Sequence, residues 1–341
     1  MKAFIYTIVL LVFSTPLAHA QAGKYRYSEM KMGSPFHIII VSTDSVKANH
    51  LARKSFQLVD SLSHIFSNYE SSSELSKINA AAGLLPYKMS PAMLDLIQKA
   101  EHAFIQSKGA YDISIGPLSD LWRNARKLKA FPTNNTVLEK KKLVGLGQVK
   151  INKRLGTIFL PSAGMQLDVG GIAKGYIAQR VIDYLKTNGI QQALADAGGD
   201  IVMSGAPMNS KGWLIGVNLP EATDELVKNK LQLANCAVAT SGDVYQYFEK
   251  EGVKYSHIIN PLTGYGVTSL RNVTIIAKTG ATADWLATAC SILPIKQAKA
   301  LALSNHAALL VSTIQKGKLH FEATENFKNY WQAAGINQGK K

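Results

Sequence analysis

The stretch LDVGGIAKGYIAQRV, residues 167–181, constrains the fold of this chain more than any other. An apolar run ends at Asp168, the pair Gly170-Gly171 follows, and apolar residues then recur at helical spacing up to residue 185. This spacing predicts an amphipathic helix, and Gly189 just beyond it is a typical stop signal. The glycine pair therefore lies where a strand gives way to the N-terminus of a helix.

A helix N-terminus presents unpaired N–H groups and the positive end of the helix dipole, so it binds anions where glycines allow close approach. Lys174 in the first turn would add a full positive charge. The spacing matches neither the phosphate-binding pattern G-x-x-x-x-G-K-[ST] nor the dinucleotide pattern G-x-G-x-x-G. The glycine pair alone leaves two interpretations open, a phosphate site and a tight strand-to-helix turn.

Residues 1–20 have the pattern of a cleavable signal peptide. Lys2 supplies the charged region, residues 3–13 form an apolar core too short to cross a bilayer, and Ala18-His19-Ala20 provides small residues for cleavage. No cysteine follows the core to accept a lipid anchor. We therefore expect an exported, soluble mature protein, periplasmic if the source is Gram-negative.

The 341 residues carry a formal net charge of +15, to which the predicted signal peptide contributes only Lys2. A basic excess favours nucleic acid, an anionic surface or an anionic substrate as partner, and export makes nucleic acid the least compatible of these. We interpret residues 21–341 as a single domain with a basic insertion or flexible lip near residues 123–153. Cys236 and Cys290 lie among small and apolar residues, which favours two buried thiols over the alternative of one disulfide.

The apolar periodicity predicts an α+β fold. Helices are expected over residues 46–66, 91–104, 167–185 and 283–293. Strands are expected at residues 38–41, 149–151, 157–160, 193–205, 213–219 and in several runs between 234 and 277. Residues 109–122 are interpreted as a short strand closed by Gly116-Pro117. Runs of strands separated by a few long helices favour a mainly antiparallel sheet flanked by helices.

Asp284 and Thr288 are four residues apart in a predicted helix and therefore share one face. A carboxylate and a hydroxyl one turn apart are hard oxygen ligands, which suit Mg²⁺ or Ca²⁺ better than zinc. The alternative is that the aspartate stabilises the helix N-terminus and the threonine packs against a neighbour. The pair alone does not decide between these interpretations.

Six blocks spread over the chain carry a family resemblance. They are GAYDISIGPL, LDVGGIAKGYIAQRV, LADAGGDIVMSG, ATSGDVYQYF, YSHIINPLTGYGV and TADWLATACSIL. Together they resemble the FAD:protein FMN transferases, the ApbE-type flavin transferases formerly called thiamine biosynthesis lipoproteins. The resemblance covers nearly all of the chain after residue 20.

This resemblance implies an ApbE-like, T-fold-like architecture and a Mg²⁺-dependent enzyme outside the cytoplasm. Such an enzyme takes FAD as substrate, joins FMN by a phosphoester bond to a Thr or Ser hydroxyl of another flavoprotein, and releases AMP. The implied partner is an exported redox flavoprotein with an acceptor motif of the type [ST]-G-A-[ST]. A hydrolase that cuts FAD to FMN and AMP, and an exported FAD carrier without turnover, are the alternatives.

The resemblance also assigns site residues by position. Asp284 and Thr288 match side-chain metal ligands, and Gly171 matches a position that contributes to the same metal site. Tyr69 matches the position where an aromatic ring stacks on the flavin. The other positions that match the FAD site are Met32, Ala110, Tyr111, Asp112, Asp168, Lys174 and Ile258.

His257 matches a family position close to the reacting groups, and we predict that His257 and Asp284 are the catalytic residues. An imidazole suits proton transfer near neutral pH, although a hydrogen-bonded strand histidine is the alternative. Asp200 and Asp243, each beside a glycine, are interpreted as turn residues rather than catalysts.

Three features depart from or complicate the family pattern. Asn260 stands where many relatives have aspartate, and LWRNAR at residues 121–126 lacks a glycine-rich continuation, which leaves the adenine side of the pocket unassigned. Residues 278–282, KTGAT, resemble the acceptor motif itself, so that Thr282 is a conceivable site of self-modification. We favour Thr282 as the N-cap of the helix that carries Asp284.

Overall fold

The structure, a computed structural model, describes residues 22–217, 230–242, 247–269, 271–315 and 318–332. The predicted signal peptide and Asp243 lie outside these ranges. None of the helices within them combines the length and the apolar character that crossing a bilayer requires.

The strands are, in chain order, β1 (Gly23–Lys31), β2 (Ser34–Ser42), β3 (Tyr87–Lys88), β4 (Lys150–Asn152), β5 (Thr157–Phe159), β6 (Ala193–Ala197), β7 (Ile201–Ser204), β8 (Trp213–Ile215), β9 (Leu231–Leu233), β10 (Cys236–Ser241), β11 (Tyr247–Lys250), β12 (Val253–Ser256), β13 (Arg271–Ala277), β14 (Ala308–Gln315) and β15 (Lys318–Ala323). The α-helices are α1 (Ser45–Phe66), α2 (Glu74–Ala80), α3 (Pro91–Gln106), α4 (Gly116–Leu128), α5 (Asn134–Lys141), α6 (Gly170–Thr187), α7 (Gly280–Ile292) and α8 (Ile295–Ser304).

Within the described ranges, eight strands form the central sheet in the order β1-β2-β6-β7-β10-β13-β14-β15, and each neighbouring pair is antiparallel. Helices α1, α6 and α7 pack on one face, where Ile38 and Ile275 lie in the main apolar core. The opposite face is covered in part by the antiparallel strand pair β8-β9, and Trp213 and Ile276 are buried there. Since both of its faces are covered, every residue of β13 is buried. The predicted α+β fold with a mainly antiparallel sheet is therefore confirmed.

Local capping signals place several elements where the sequence predicts them. Asp44 caps α1 by accepting a hydrogen bond from the Lys47 N–H, and Ser90 caps α3, with Pro91 at its first position. The predicted hairpin near residues 150–159 is present as the antiparallel pair β4-β5. Cys236 and Cys290 are both free thiols, so the disulfide alternative is wrong. The predicted burial is confirmed for Cys290, whereas Cys236 is only half-buried.

Two local predictions are wrong. Gly116-Pro117 begins helix α4 instead of closing a strand, because proline is favoured in the first turn of a helix, where its missing N–H costs little. Helix α7 begins at Gly280, and its N-cap is Thr279, whose hydroxyl accepts a hydrogen bond from the Thr282 N–H. Thr282 thus lies inside the first turn of α7.

The basic stretch near residues 123–153 contains the end of α4, all of α5 and strand β4. Trp122 and Val137 are buried in a small apolar cluster with Ile259, and Leu146 belongs to the main core. The division into domains remains a prediction.

Candidate active site

Helices α6 and α7, which are about a hundred residues apart in the sequence, meet at the centre of the site. Gly175 in α6 and Gly280 in α7 lie back to back, and a Cβ on either glycine would overlap the backbone carbonyl oxygen of the other. This close approach brings Asp284 against α6. There the Asp284 Oδ2 accepts a hydrogen bond of 3.0 Å from the Gly175 N–H.

Residues 168–171, which we call the glycine corner, lie at the N-terminus of α6. Asp168 Oδ1 accepts a hydrogen bond of 2.9 Å from the Gly170 N–H. Gly171 has non-helical φ and ψ of −90° and 21°, and a Cβ on it would lie 2.8 Å from the Thr288 Oγ1. The glycine corner therefore contacts the face of α7 that carries Thr288, as a shared metal site would require.

A cavity of about 1300 Å³ opens beside this contact. Ligand pockets usually enclose roughly 300–1,000 Å³, so there is room for a dinucleotide. The residues that the sequence predicts for the site all line this one cavity: Met32, Tyr69, Ala110, Tyr111, Asp112, Asp168, Gly171, Lys174, His257, Ile258, Asp284 and Thr288. Their individual roles remain predictions.

Two carboxylates and an ammonium group interact at the α6 end of the cavity. Burial raises the pKa of Asp284 to about 7, against the opposing effects of the Gly175 N–H and the Lys174 charge. Burial, and then the charge of Asp284, raise the pKa of Asp200 well above its ordinary value. The charge of Lys174 opposes this rise. Burial therefore outweighs the opposing effect of the Lys174 charge on the pKa of both carboxyl groups.

Asp200, interpreted from the sequence as a turn residue rather than a catalyst, lies close to the predicted site residues. It does lie in the turn between β6 and β7, where its carbonyl oxygen accepts a hydrogen bond from the Ala197 N–H. It also lines the cavity, and the turn brings it within electrostatic reach of Asp284. A glycine-flanked aspartate has the same local pattern in either role, so no signal in the sequence distinguishes them.

Helix α4 brings Ser119, Arg123 and Arg126 to the cavity wall. These positions have helical spacing, so recognising α4 as a helix would have placed them on one face. The Arg123 guanidinium lies 4.7 Å from the centre of the Tyr69 ring and 3.8 Å from the Asp168 carboxylate. Tyr69 is 79% exposed, so its ring can stack against a ligand.

Tyr111 and Asp112 line the cavity in different ways. The Tyr111 hydroxyl is buried and has no hydrogen-bond partner among the described residues, while its ring packs against Trp285 at 6.2 Å. The Asp112 carboxylate instead accepts hydrogen bonds from the N–H and hydroxyl of Ser114 and from the Leu146 N–H. Asp112 therefore supports the cavity wall, whereas Tyr111 retains an unused donor.

His257 and Ile258 follow strand β12 and line the cavity, and His257 is exposed. The Ile258 N–H donates to the Ser256 hydroxyl at 2.9 Å. Asn260, which stands where many relatives carry aspartate, accepts a hydrogen bond from the Leu262 N–H and so shapes the turn after the histidine. An asparagine oxygen serves this turn as well as a carboxylate would.

The sequence model of the ApbE family matches residues 32–311 of this chain. The chain belongs to the ApbE family. A relative from Klebsiella pneumoniae, named FAD:protein FMN transferase, is 34% identical over 254 residues, which are 74% of this chain and 77% of that protein. A relative of the same name from Vibrio cholerae is 27% identical over 91% of this chain and 93% of its own length.

Solved ApbE structures share the fold. The flavin transferase ApbE from Vibrio cholerae gives a TM-score of 0.80 at 26% identity, over 91% of this chain and 99% of that one. The apo form of the flavinyl transferase ApbE from Pseudomonas stutzeri gives 0.81 at 26% identity, over 92% and 98%. The predicted family is confirmed, and the names of the relatives agree with the predicted transferase class.

The raised pKa of Asp284 predicts how the stability of this ApbE-family chain depends on pH without metal. Between about pH 4 and about 7 the unfolded carboxyl loses its proton while the folded one keeps it, so the unfolded state binds fewer protons. The free energy of unfolding is therefore expected to fall as the pH rises through this window, by on the order of 3 kcal/mol. Urea titrations in EDTA from pH 4.5 to 8 measure this, and Asp284→Asn should remove the Asp284 contribution to the fall. A full decrease retained in that variant would contradict the assignment.

Proposed function

We propose that this chain transfers FMN from FAD to a Thr or Ser hydroxyl of an exported flavoprotein, forming a phosphoester bond and releasing AMP. The contact between the glycine corner and the Asp284–Thr288 face of α7 carries the proposal. It places helix N-terminal N–H groups, two carboxylates and Lys174 beside a cavity that can hold a dinucleotide. The names of the relatives support the same activity.

We also propose Mg²⁺ as the cofactor, held by Asp284, Thr288 and a backbone oxygen of Gly171. Hard oxygen donors of this kind suit Mg²⁺, and burial disfavours the charged form of Asp284 more than the Lys174 charge favours it, so a divalent cation fits the site. No group of three or more His, Cys, Asp or Glu side chains suited to a metal occurs in the described part of the chain. Mg²⁺ sites commonly combine one or two carboxylates with substrate phosphates and water. When bound, the ion offsets negative charge on the phosphoryl oxygens.

The chain's own groups perform the remaining tasks. The exposed Tyr69 ring stacks on the flavin, and the Lys174 ammonium binds a phosphate oxygen beside the positive end of the α6 dipole. The acceptor oxygen forms a bond to the phosphorus of the FMN half, and the bond from that phosphorus to the AMP phosphate breaks. His257, exposed on the cavity wall, accepts the proton of the acceptor hydroxyl.

One incubation tests the proposal. The protein is mixed with FAD, Mg²⁺ and a protein domain that carries a [ST]-G-A-[ST] motif, and the products are followed by mass spectrometry. We expect the acceptor to gain the mass of an FMN group, and an acceptor whose last Thr is replaced by Val to stay unmodified. Free FMN with an unchanged acceptor would identify a hydrolase instead, and intact FAD would identify a carrier.

The same experiment settles self-modification. Thr282 lies in the first turn of α7, where its N–H and hydroxyl both contact the Thr279 hydroxyl, so it is engaged in the helix start. We expect Thr282 to remain unmodified after incubation with FAD and Mg²⁺. A peptide containing flavinylated Thr282 would contradict this expectation.

A further inference from the structure

Three buried hydroxyl groups line the cavity without a hydrogen-bond partner among the described residues: Ser34, Ser63 and Tyr111. Buried polar groups normally have partners, because a group that loses its hydration without compensation is destabilising. Three such groups in one cavity indicate that a ligand supplies the missing partners. Tyr111 already belongs to the predicted FAD site, whereas Ser34 and Ser63 have no assigned role.

Ser34 lies beside Lys174, the lysine that interacts with Asp284 and Asp200. It is the first residue of β2, directly after the two-residue turn Met32-Gly33, in which both residues have positive φ. A Cβ on Gly198 would overlap the Ser34 Oγ and would lie 3.7 Å from the Lys174 Nζ. The hydroxyl and the ammonium group therefore flank the same point, and together they offer two donors to one oxyanion.

The hydroxyl of Ser63 differs in its hydrogen bonding from those of Ser55 and Ser61 in the same helix. Ser55 and Ser61 in α1 donate to the carbonyl oxygens of Leu51 and Gln57, four residues earlier, at 2.8 and 3.0 Å. This is the usual way in which a helical serine satisfies its hydroxyl. The Ser63 hydroxyl is buried without such a bond in the last turn of α1, six residues before Tyr69, and both residues line the cavity.

We propose that Ser34 and Ser63 are FAD-binding residues of this chain. The Ser34 hydroxyl binds a phosphate oxygen together with Lys174, and the Ser63 hydroxyl binds the polar edge of the flavin that stacks on Tyr69. The inference rests on the proposed function, since it assumes that FAD occupies the cavity.

The test compares Ser34→Ala and Ser63→Ala with Ser61→Ala, a matched control on the exposed side of the same helix. The dissociation constant for FAD is measured by flavin fluorescence in Mg²⁺, and Tm is measured without ligand. Each of the first two variants is expected to bind FAD about fivefold to tenfold more weakly, the effect of one hydrogen bond. Their Tm without FAD should be unchanged or higher, because alanine removes an unpaired polar group.

The affinities of the variants for FMN and for AMP show which half of FAD a hydroxyl contacts. We expect Ser63→Ala to weaken FMN binding and to leave AMP binding unchanged; the reverse would overturn its assignment to the flavin. Equal FAD affinity in wild type and both variants, or a lower Tm without FAD at unchanged affinity, would mean that the hydroxyls are structural and the inference is wrong. A wild-type protein that binds no FAD would instead overturn the proposed function.

Discussion

Replacement of Asp284 by alanine is expected to abolish metal-dependent FMN transfer, with a fall in kcat of about 10³-fold or more. Asp284 is buried at the contact between α6 and α7, where its carboxylate accepts a hydrogen bond from the Gly175 N–H and lines the cavity. Its removal would leave Thr288 as the only side chain of the predicted metal ligands. Single-turnover assays over a range of Mg²⁺ concentrations measure the loss.

Asp284→Asn separates the loss of charge from a loss of structure. The amide oxygen can still accept the hydrogen bond from the Gly175 N–H, so we expect the fold to persist while transfer is lost. Mg²⁺ should raise the Tm of the wild type and leave that of the variant unchanged, since only a bound ligand stabilises the folded state. Glu139→Ala, which removes an exposed carboxylate paired with Lys142, is the control and should retain activity. Metal-dependent activity retained in Asp284→Asn would remove the metal assignment.

The parts of the fold that the sequence predicts best are those fixed by local interactions. The periodicity and caps of α1 and α3 involve residues within one or two turns, so they can be read from the chain. The start of α7 shows the limit of this reasoning. Thr279 and Thr282 are both acceptable N-caps, and the start at Gly280 places that glycine against Gly175, about a hundred residues away, a contact that the local sequence does not report.

The site residues likewise fall into those that a local sequence pattern identifies and those that it does not. The glycine corner and the pair Asp284 and Thr288 have recognisable local patterns, and the family resemblance relates them to each other. Asp200 lies in the turn between β6 and β7, and no local sequence pattern indicates that this turn reaches the cavity. Ser61 and Ser63 are two residues apart in α1, but the Ser61 hydroxyl donates to the Gln57 carbonyl oxygen while the Ser63 hydroxyl is buried without a partner among the described residues. This difference depends on the tertiary packing of α1. Site residues such as Asp200 and Ser63 are recognised only from the three-dimensional structure.

The contact between Gly175 and Gly280 predicts a large effect on stability. A Cβ on Gly175 would overlap the Gly280 carbonyl oxygen and would lie 2.8 Å from the Asp284 Cβ. Backbone cannot rotate away as a side chain does, so Gly175→Ala forces α6 and α7 apart. We expect a loss of about 3 kcal/mol or more in the free energy of unfolding, measured by urea titration, although alanine has the higher helix propensity.

Gly147→Ala is the matched control for Gly175→Ala. Its Cβ would meet only the ring of Phe104, at 3.9 Å or more, and its φ is not in the left-handed region, so a change within about 0.5 kcal/mol is expected. Gly175→Ala should also weaken Mg²⁺ binding where the protein remains folded, because Asp284 accepts its hydrogen bond from the N–H of residue 175. A Gly175→Ala protein with wild-type stability and Mg²⁺ affinity would show that the two helices do not depend on this close approach. The position of Asp284 relative to the glycine corner would then need another cause.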